Sequence, residues 1–315
     1  MKQNALADQA RIFNQLIAKA ASTAFGIEHG FEKIRRPADF KERVRVTDYE
    51  GRKEWFERIA AGEPDVCWPG KPKYLSKTSG TTSGVKYIPI THDSIGGHIQ
   101  SARNALLNYA VETDNYQFFD GKLIFLSGSP ELTETNGIPT GRLSGISNHE
   151  VPFWLKPSQV PSYRTNCIAD WEKKVQAIVE ETVEKDMRLI SGIPPWVQMY
   201  YEKLLEYTGK ENVLQVFPNY SVFVYGGVNF EPYRQTLERL VGDSIDSVEL
   251  YPASEGFIAF QDDFPSEGML LNTNLGMYYE FIPLSEFSSD NPPRLGLHQV
   301  EKGVDYVLVI SSNAG

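Results

Sequence analysis

Short apolar runs alternate with segments of helical period through the middle of the chain, and this alternation restricts the fold more than any other property of the sequence. Lys122–Ser127, Arg188–Ser191, Ser221–Tyr225 and residues 246–251 have the pattern of buried strands. Between them, Trp171–Lys185, Pro195–Tyr207 and Phe230–Val241 repeat apolar residues at helical spacing, the last with Pro232 in its first turn. Beyond residue 251 the strand-like runs crowd together, at 257–261, 268–272, 277–282 and 305–311. This order, α/β early and β-rich late, predicts one large α/β domain over residues 1–315, with more than one mixed sheet flanked by helices. A chain of 315 residues can bury the core such a domain needs.

Upstream, helices are expected over 1–24 and 47–61, the second opened by Thr47 with Glu50 at capping-box spacing. Tyr87–Ile90 reads as a short strand, and Thr91 as the cap of a helix over 92–111. The interval 128–168, rich in Gly, Pro, Ser and Asn, is too long for a plain turn and is a candidate functional surface. Tyr306–Ile310 is a core-strand pattern with five residues after it. The chain is therefore expected to be the larger, N-terminal part of a longer protein.

Composition narrows the function. Hydrophobic residues at 41% and charged residues at 23% describe a soluble globular chain, not a disordered one. No run approaches the ~18 apolar residues of a membrane span. With 41 Asp and Glu against 31 Lys and Arg, the net charge of −10 disfavours nucleic acid as a partner. A nucleotide held by local donors remains open. Cys67 and Cys167 form neither a metal pair nor a disulfide framework and read as reduced thiols. Met1–Phe25 carries charges and helical periodicity where a signal peptide has an apolar centre, so a cytoplasmic location is expected. His92, His98 and His149 are too scattered for a metal site and read as surface or capping histidines.

The densest chemistry lies in Lys77–Lys86 (KTSGTTSGVK), with two glycines, five hydroxyl residues and two lysines in ten positions. Glycines let successive N–H groups face one anion, hydroxyls add donors, and lysine supplies a compact charge suited to phosphate. A phosphotransferase P-loop needs GxxxxGK[ST]; here Gly80 and Gly84 are four apart, and Tyr87 stands where a metal-holding hydroxyl belongs. The plain alternative is a flexible polar loop. Two further clusters sit at strand ends. Tyr251-Pro252-Ala253-Ser254-Glu255-Gly256 places an acid where α/β sheets place ligands. Glu255 suits a hard cation such as Mg²⁺ and Tyr251 offers a flat face to a base, although an acid in a turn is more often only solvated. Tyr225-Gly226-Gly227-Val228-Asn229-Phe230 runs from strand to helix through paired glycines, which either admit a planar ligand or make a tight turn.

Together these segments resemble one family. KTSGTTSGVK is similar to the phosphate loop, [ST]SGT[ST]xGxxK, of the adenylate-forming superfamily, which includes acyl-CoA synthetases and luciferase. Ile190–Trp196 (ISGIPPW), Gly226–Tyr233 (GGVNFEPY), Tyr251–Gly256 (YPASEG), Tyr279–Pro283 (YEFIP) and Val300–Gly315 (VEKGVDYVLVISSNAG) resemble its auxin-responsive acyl acid-amido synthetase branch. The likeness runs in order over residues 70–315. It implies that ATP and a carboxylic acid give an acyl-adenylate and pyrophosphate, and that an amino acid's amine then releases AMP and an amide. It also implies that Ser79, Gly80, Thr81, Thr82 and Lys86 cradle phosphates. Gly226, Gly227 and Val228 would meet adenine through the backbone, with Tyr251 on the base. Ser254 and Glu255 would lie near the α-phosphate and Mg²⁺, and Thr81, Lys86 and Glu255 form the implied catalytic set. The family continues into a Tyr-Arg-x-Gly-Asp stretch that binds ribose and a small mobile lid domain with an active-site Lys. Both would lie beyond Gly315.

Three other classes compete. A coenzyme A-dependent thioester ligase shares the fold. An inactive nucleotide- or acyl-binding protein is disfavoured by the intact polar sets at 79–86 and 254–255, and a phosphotransferase by the misspaced Lys86. Arg103, on the helix after the phosphate segment, either meets an acyl carboxylate or, the preferred reading, is solvated. Phe153 and Trp154 either line an acyl pocket or pack in the ordinary way.

Overall fold

In the computed structural model, which describes residues 3–79, 85–264 and 268–314, the alternating runs form a seven-stranded central sheet. Its strands lie in the order Leu270–Leu271, Gly256–Phe260, Asp246–Ala253, Val222–Gly226, Met187–Gly192, Lys122–Leu126 and Gln159–Val160. The last five are mutually parallel, and the first two add an antiparallel edge. Parallel neighbours need crossovers, which the helices Trp171–Thr182, Pro194–Thr208 and Glu231–Val241 supply. Val222, Phe223, Val224 and Tyr225 are all buried, because both faces of the sheet are covered. Ile178, Val197, Tyr201 and Leu237 pack on one face, and Ala105, Tyr109 and Phe118 on the other.

A second sheet has the order Val85–Ile90, Tyr74–Ser79, Ile138–Gly141, Thr133–Thr135. A third is a ribbon of Met277–Pro283 against Tyr306–Ser312. Phe13, Phe31, Phe40 and Trp68, from the helical N-terminal region, close over Tyr278 of this ribbon. Gln9 ties the layers together: its side-chain amide donates to the carbonyls of Thr273 and Met277 and accepts from the Tyr279 N–H.

Local chemistry decides where elements start. Thr91 caps the helix His92–Thr113 as expected, its hydroxyl accepting from the Ser94 N–H. Thr47 does not open a helix. The nearer Asp48 carboxylate takes the Gly51 N–H in a turn, and the helix begins only at Lys53–Ala60. The first helix divides into Ala5–Ala20 and Ala24–Glu28 because the Thr23 hydroxyl accepts from the Gly26 N–H and restarts it. The interval 128–168 is more regular than expected. It holds Thr133–Thr135, Ile138–Gly141 and the helix Leu143–His149. Among the described residues no helix is long and apolar enough to cross a membrane.

Candidate active site

The three sheets meet at one hairpin tip. Ser254 and Glu255 form the turn between Asp246–Ala253 and Gly256–Phe260. The Ser254 hydroxyl lies 2.8 Å from that of Ser76, both residues buried, which joins the tip to the strand Tyr74–Ser79. On the other side, a Cβ at Gly256 would sit 2.3 Å from the sulfur of Met277, so only glycine lets the ribbon come this close. The expected phosphate segment is therefore approached by a strand anchored to the turn that carries Glu255. Ser79 ends that strand and pairs with Val85. Gly80, Thr81 and Thr82 lie outside the described residues. Lys86 sits opposite Thr78, its ammonium 4.9 Å from the centre of the Tyr49 ring.

Glu255 is half-buried and lines a cavity. Among the described residues no group of three His, Cys, Asp or Glu side chains could hold a metal. A single open carboxylate on the turn anchored to the strand Tyr74–Ser79 fits Mg²⁺ held through one acid and substrate phosphates, and does not fit an all-protein cage.

The expected base site also comes together. Gly226 pairs with Leu250, the residue before Tyr251. A Cβ at Gly226 would lie 2.4 Å from the Leu250 carbonyl oxygen, and Gly227 takes a φ of +82°, so both positions need glycine. Val228 and Tyr251 are exposed beside them, Tyr251 by 46%. An open aromatic face next to a bare backbone turn can take a planar ring.

Other expectations are corrected or settled. His98 is neither surface nor cap. It is buried, its Nε2 has no protein partner, and burial pushes its pKa down to about 4. Arg103 is exposed, as a solvated helix residue is. Phe153 and Trp154 are exposed by 85% and 56%. Both cysteines are free and half-buried, and burial pushes the Cys67 thiol up to about 12.

Sequence reasoning missed Ser76, which lies one residue ahead of the glycine-rich segment, and Lys174. The Lys174 ammonium is buried and donates to the carbonyls of Ser127 (2.8 Å) and Asn166 (2.7 Å) just past the end of the strand Lys122–Leu126. Burial holds its pKa below the usual lysine value. Next to Lys173 in the sequence it looks like half of a solvated pair, and only its helical spacing to Ile178 hints otherwise.

The Ser76–Ser254 contact thus sets the turn that carries Glu255 against the strand that leads into the glycine-rich segment. A solved 2-hydroxyisobutyryl-CoA ligase, bound to its acyl-AMP and coenzyme A, superimposes with a TM-score of 0.59 at 13% identity, covering 100% of this chain and 61% of that one. A GH3.15 acyl acid amido synthetase superimposes with a TM-score of 0.76 at 16% identity, covering 99% of this chain and 63% of that one. In sequence, a jasmonoyl–L-amino acid synthetase of Nicotiana attenuata is 21% identical, covering 98% of this chain and 64% of its own length. The GH3 family N-terminal domain matches residues 1–167 and 142–245, and the GH3 family central domain matches residues 270–315. The chain belongs to the GH3 family, the acyl acid-amido synthetase family its motifs resemble. It spans less than two thirds of these relatives' length, 64% and 63%.

Proposed function

We propose that residues 1–315 form the large adenylation domain of an AMP-forming acid–amino acid ligase, working in the cytoplasm with a lid domain beyond Gly315. The observation that carries this reading is the Ser76–Ser254 contact, which ties the acid-bearing turn to the strand entering the phosphate segment. The substrate carboxylate is itself the nucleophile on the α-phosphorus of ATP, so no Ser-His-Asp set is needed. The protein orients the two substrates and stabilises charge. Ser79, Gly80, Thr81, Thr82 and Lys86 would hold phosphates, Gly226, Gly227 and Val228 the adenine edge, and Tyr251 its face. Glu255, with Ser254 beside it, would hold Mg²⁺, which supplies charge neutralisation at the reacting phosphate. The amine of an amino acid then attacks the acyl carbon; the C–O bond to phosphate breaks, AMP leaves, and the amine proton is lost.

The test is acid-dependent ATP–pyrophosphate exchange across aromatic, fatty and hydroxy acids, followed by product analysis with amino acids or coenzyme A. AMP with an amide is expected. ADP as product, or a thioester in place of the amide, would overturn this reading.

A further inference from the structure

The strand Val85–Ile90 is the edge of the second sheet and carries Lys86. An edge strand presents N–H groups that have no ladder partner. One of these, from Tyr87, donates to the Tyr49 hydroxyl at 3.2 Å. The same side chain meets Lys86, whose ammonium lies 4.9 Å from the centre of the Tyr49 ring. Tyr49 is itself held, stacked on Phe56 of the helix Lys53–Ala60 with ring centres 5.0 Å apart and planes 13° from parallel. Both rings line the largely aromatic cavity that Glu255 also lines, between the N-terminal helices and the strand Tyr306–Ser312. Lys86 is half-buried, and among the described residues no carboxylate is within ion-pair distance of it. An aromatic face orients an ammonium through the ring quadrupole and cancels none of its charge. A carboxylate in the same place would orient it and neutralise it. The ammonium has three N–H groups, so the ring leaves donors free for an anion. Without the ring, a lysine on four flexible carbons would have to be ordered when the anion arrives, at a cost in rotamer entropy.

We propose that Tyr49 is a positioning residue for Lys86: its ring holds the ammonium in place with the charge intact, and its hydroxyl keeps ring and strand together. This rests on the ligase reading, in which Lys86 holds a phosphate of ATP. The phosphate segment is thereby set from the N-terminal layer.

Calorimetric titration of the whole chain with MgATP and with adenosine tests the proposal. Tyr49→Leu weakens MgATP binding about two- to fivefold, the range of a partly exposed cation–π contact. It leaves adenosine binding as it was, because adenosine has no phosphate for Lys86 to meet. Tyr49→Phe keeps the ring face and loses less. Tyr49→pentafluorophenylalanine keeps the ring shape but reverses its quadrupole, and binds MgATP more weakly than Tyr49→Phe does; this comparison decides the matter even where Tyr49→Leu fails to fold. In a Lys86→Ala background, Tyr49→Leu has no further effect on MgATP. Equal loss of MgATP and adenosine, equal MgATP binding by the two ring variants, or full additivity with Lys86→Ala overturns the proposal. No MgATP binding by the unaltered chain would sink the ligase reading and this one with it. Undiminished MgATP binding by Tyr49→Leu would sink this one alone.

Discussion

Along Val222–Gly226 four consecutive side chains are buried between two helical layers, whereas the N-terminal region meets the ribbon through interleaved aromatic rings with the Arg294–Glu280 pair sealed beneath them. In the central sheet the side chains are consumed by packing. What it leaves for the proposed ligand contacts is backbone at strand ends, Gly226 and Gly227, and the two-residue turn at Ser254 and Glu255. Where the N-terminal layer covers the ribbon, a charged pair is brought inside with the rings. The sheet edge should be sensitive to added atoms, and the helical layer to lost charges.

The sharpest break of this contrast is Arg294→Leu. It leaves the Glu280 carboxylate, 1% exposed, with the Lys41 ammonium at 4.0 Å as its remaining cation, and should cost about 3 kcal/mol of stability by denaturant titration. Glu255→Gln should leave the melting temperature unchanged yet lower pyrophosphate exchange by about 10²–10³-fold, the range for losing one charge-stabilising group. Near-normal exchange at saturating Mg²⁺ would exclude this role. Next comes acid. His98 is held neutral, with a pKa of about 4 against 6.5 when unfolded, so the unfolded chain binds the extra proton between those values. Stability is then full above about pH 6.5 and falls by roughly 3 kcal/mol as the pH drops to 4. His98→Phe should flatten that part of the profile. Gly226→Ala forces a methyl against the Leu250 carbonyl and should cost about 1–3 kcal/mol, with weaker nucleotide binding. Thr81→Ala and Lys86→Ala should change stability by no more than about 0.5 kcal/mol while impairing ATP use. A large melting shift with normal turnover of the folded fraction would make that segment structural.

Much of the sheet was legible because its strands carry continuous apolar runs and its helices a single buried face; the Met187–Gly192 and Val222–Gly226 strands follow the pattern closely. Thr133–Thr135 and Ile138–Gly141 were not, since three or four residues are too short to show a period. The glycine turn at 226–227 could be read because close approach demands glycine wherever it occurs. His98 and Lys174 could not. Burial of a polar side chain depends on what packs over it, here residues more than a hundred positions away or a neighbouring loop, and sequence spacing carries no record of that. The aromatic cavity was invisible for the same reason, assembled from helices at one end of the chain and a strand at the other.

Ser76 and Ser254 stand 178 residues apart yet share one buried contact. For sequence drift they are a single site. A lone change to alanine at either position leaves a hydroxyl stranded in the interior, while a paired change to apolar residues of matching shape removes both at little cost. The two positions should therefore vary together or not at all across relatives of this chain, and an ancestor that lost one serine would have to lose the other before the turn bearing Glu255 could settle again.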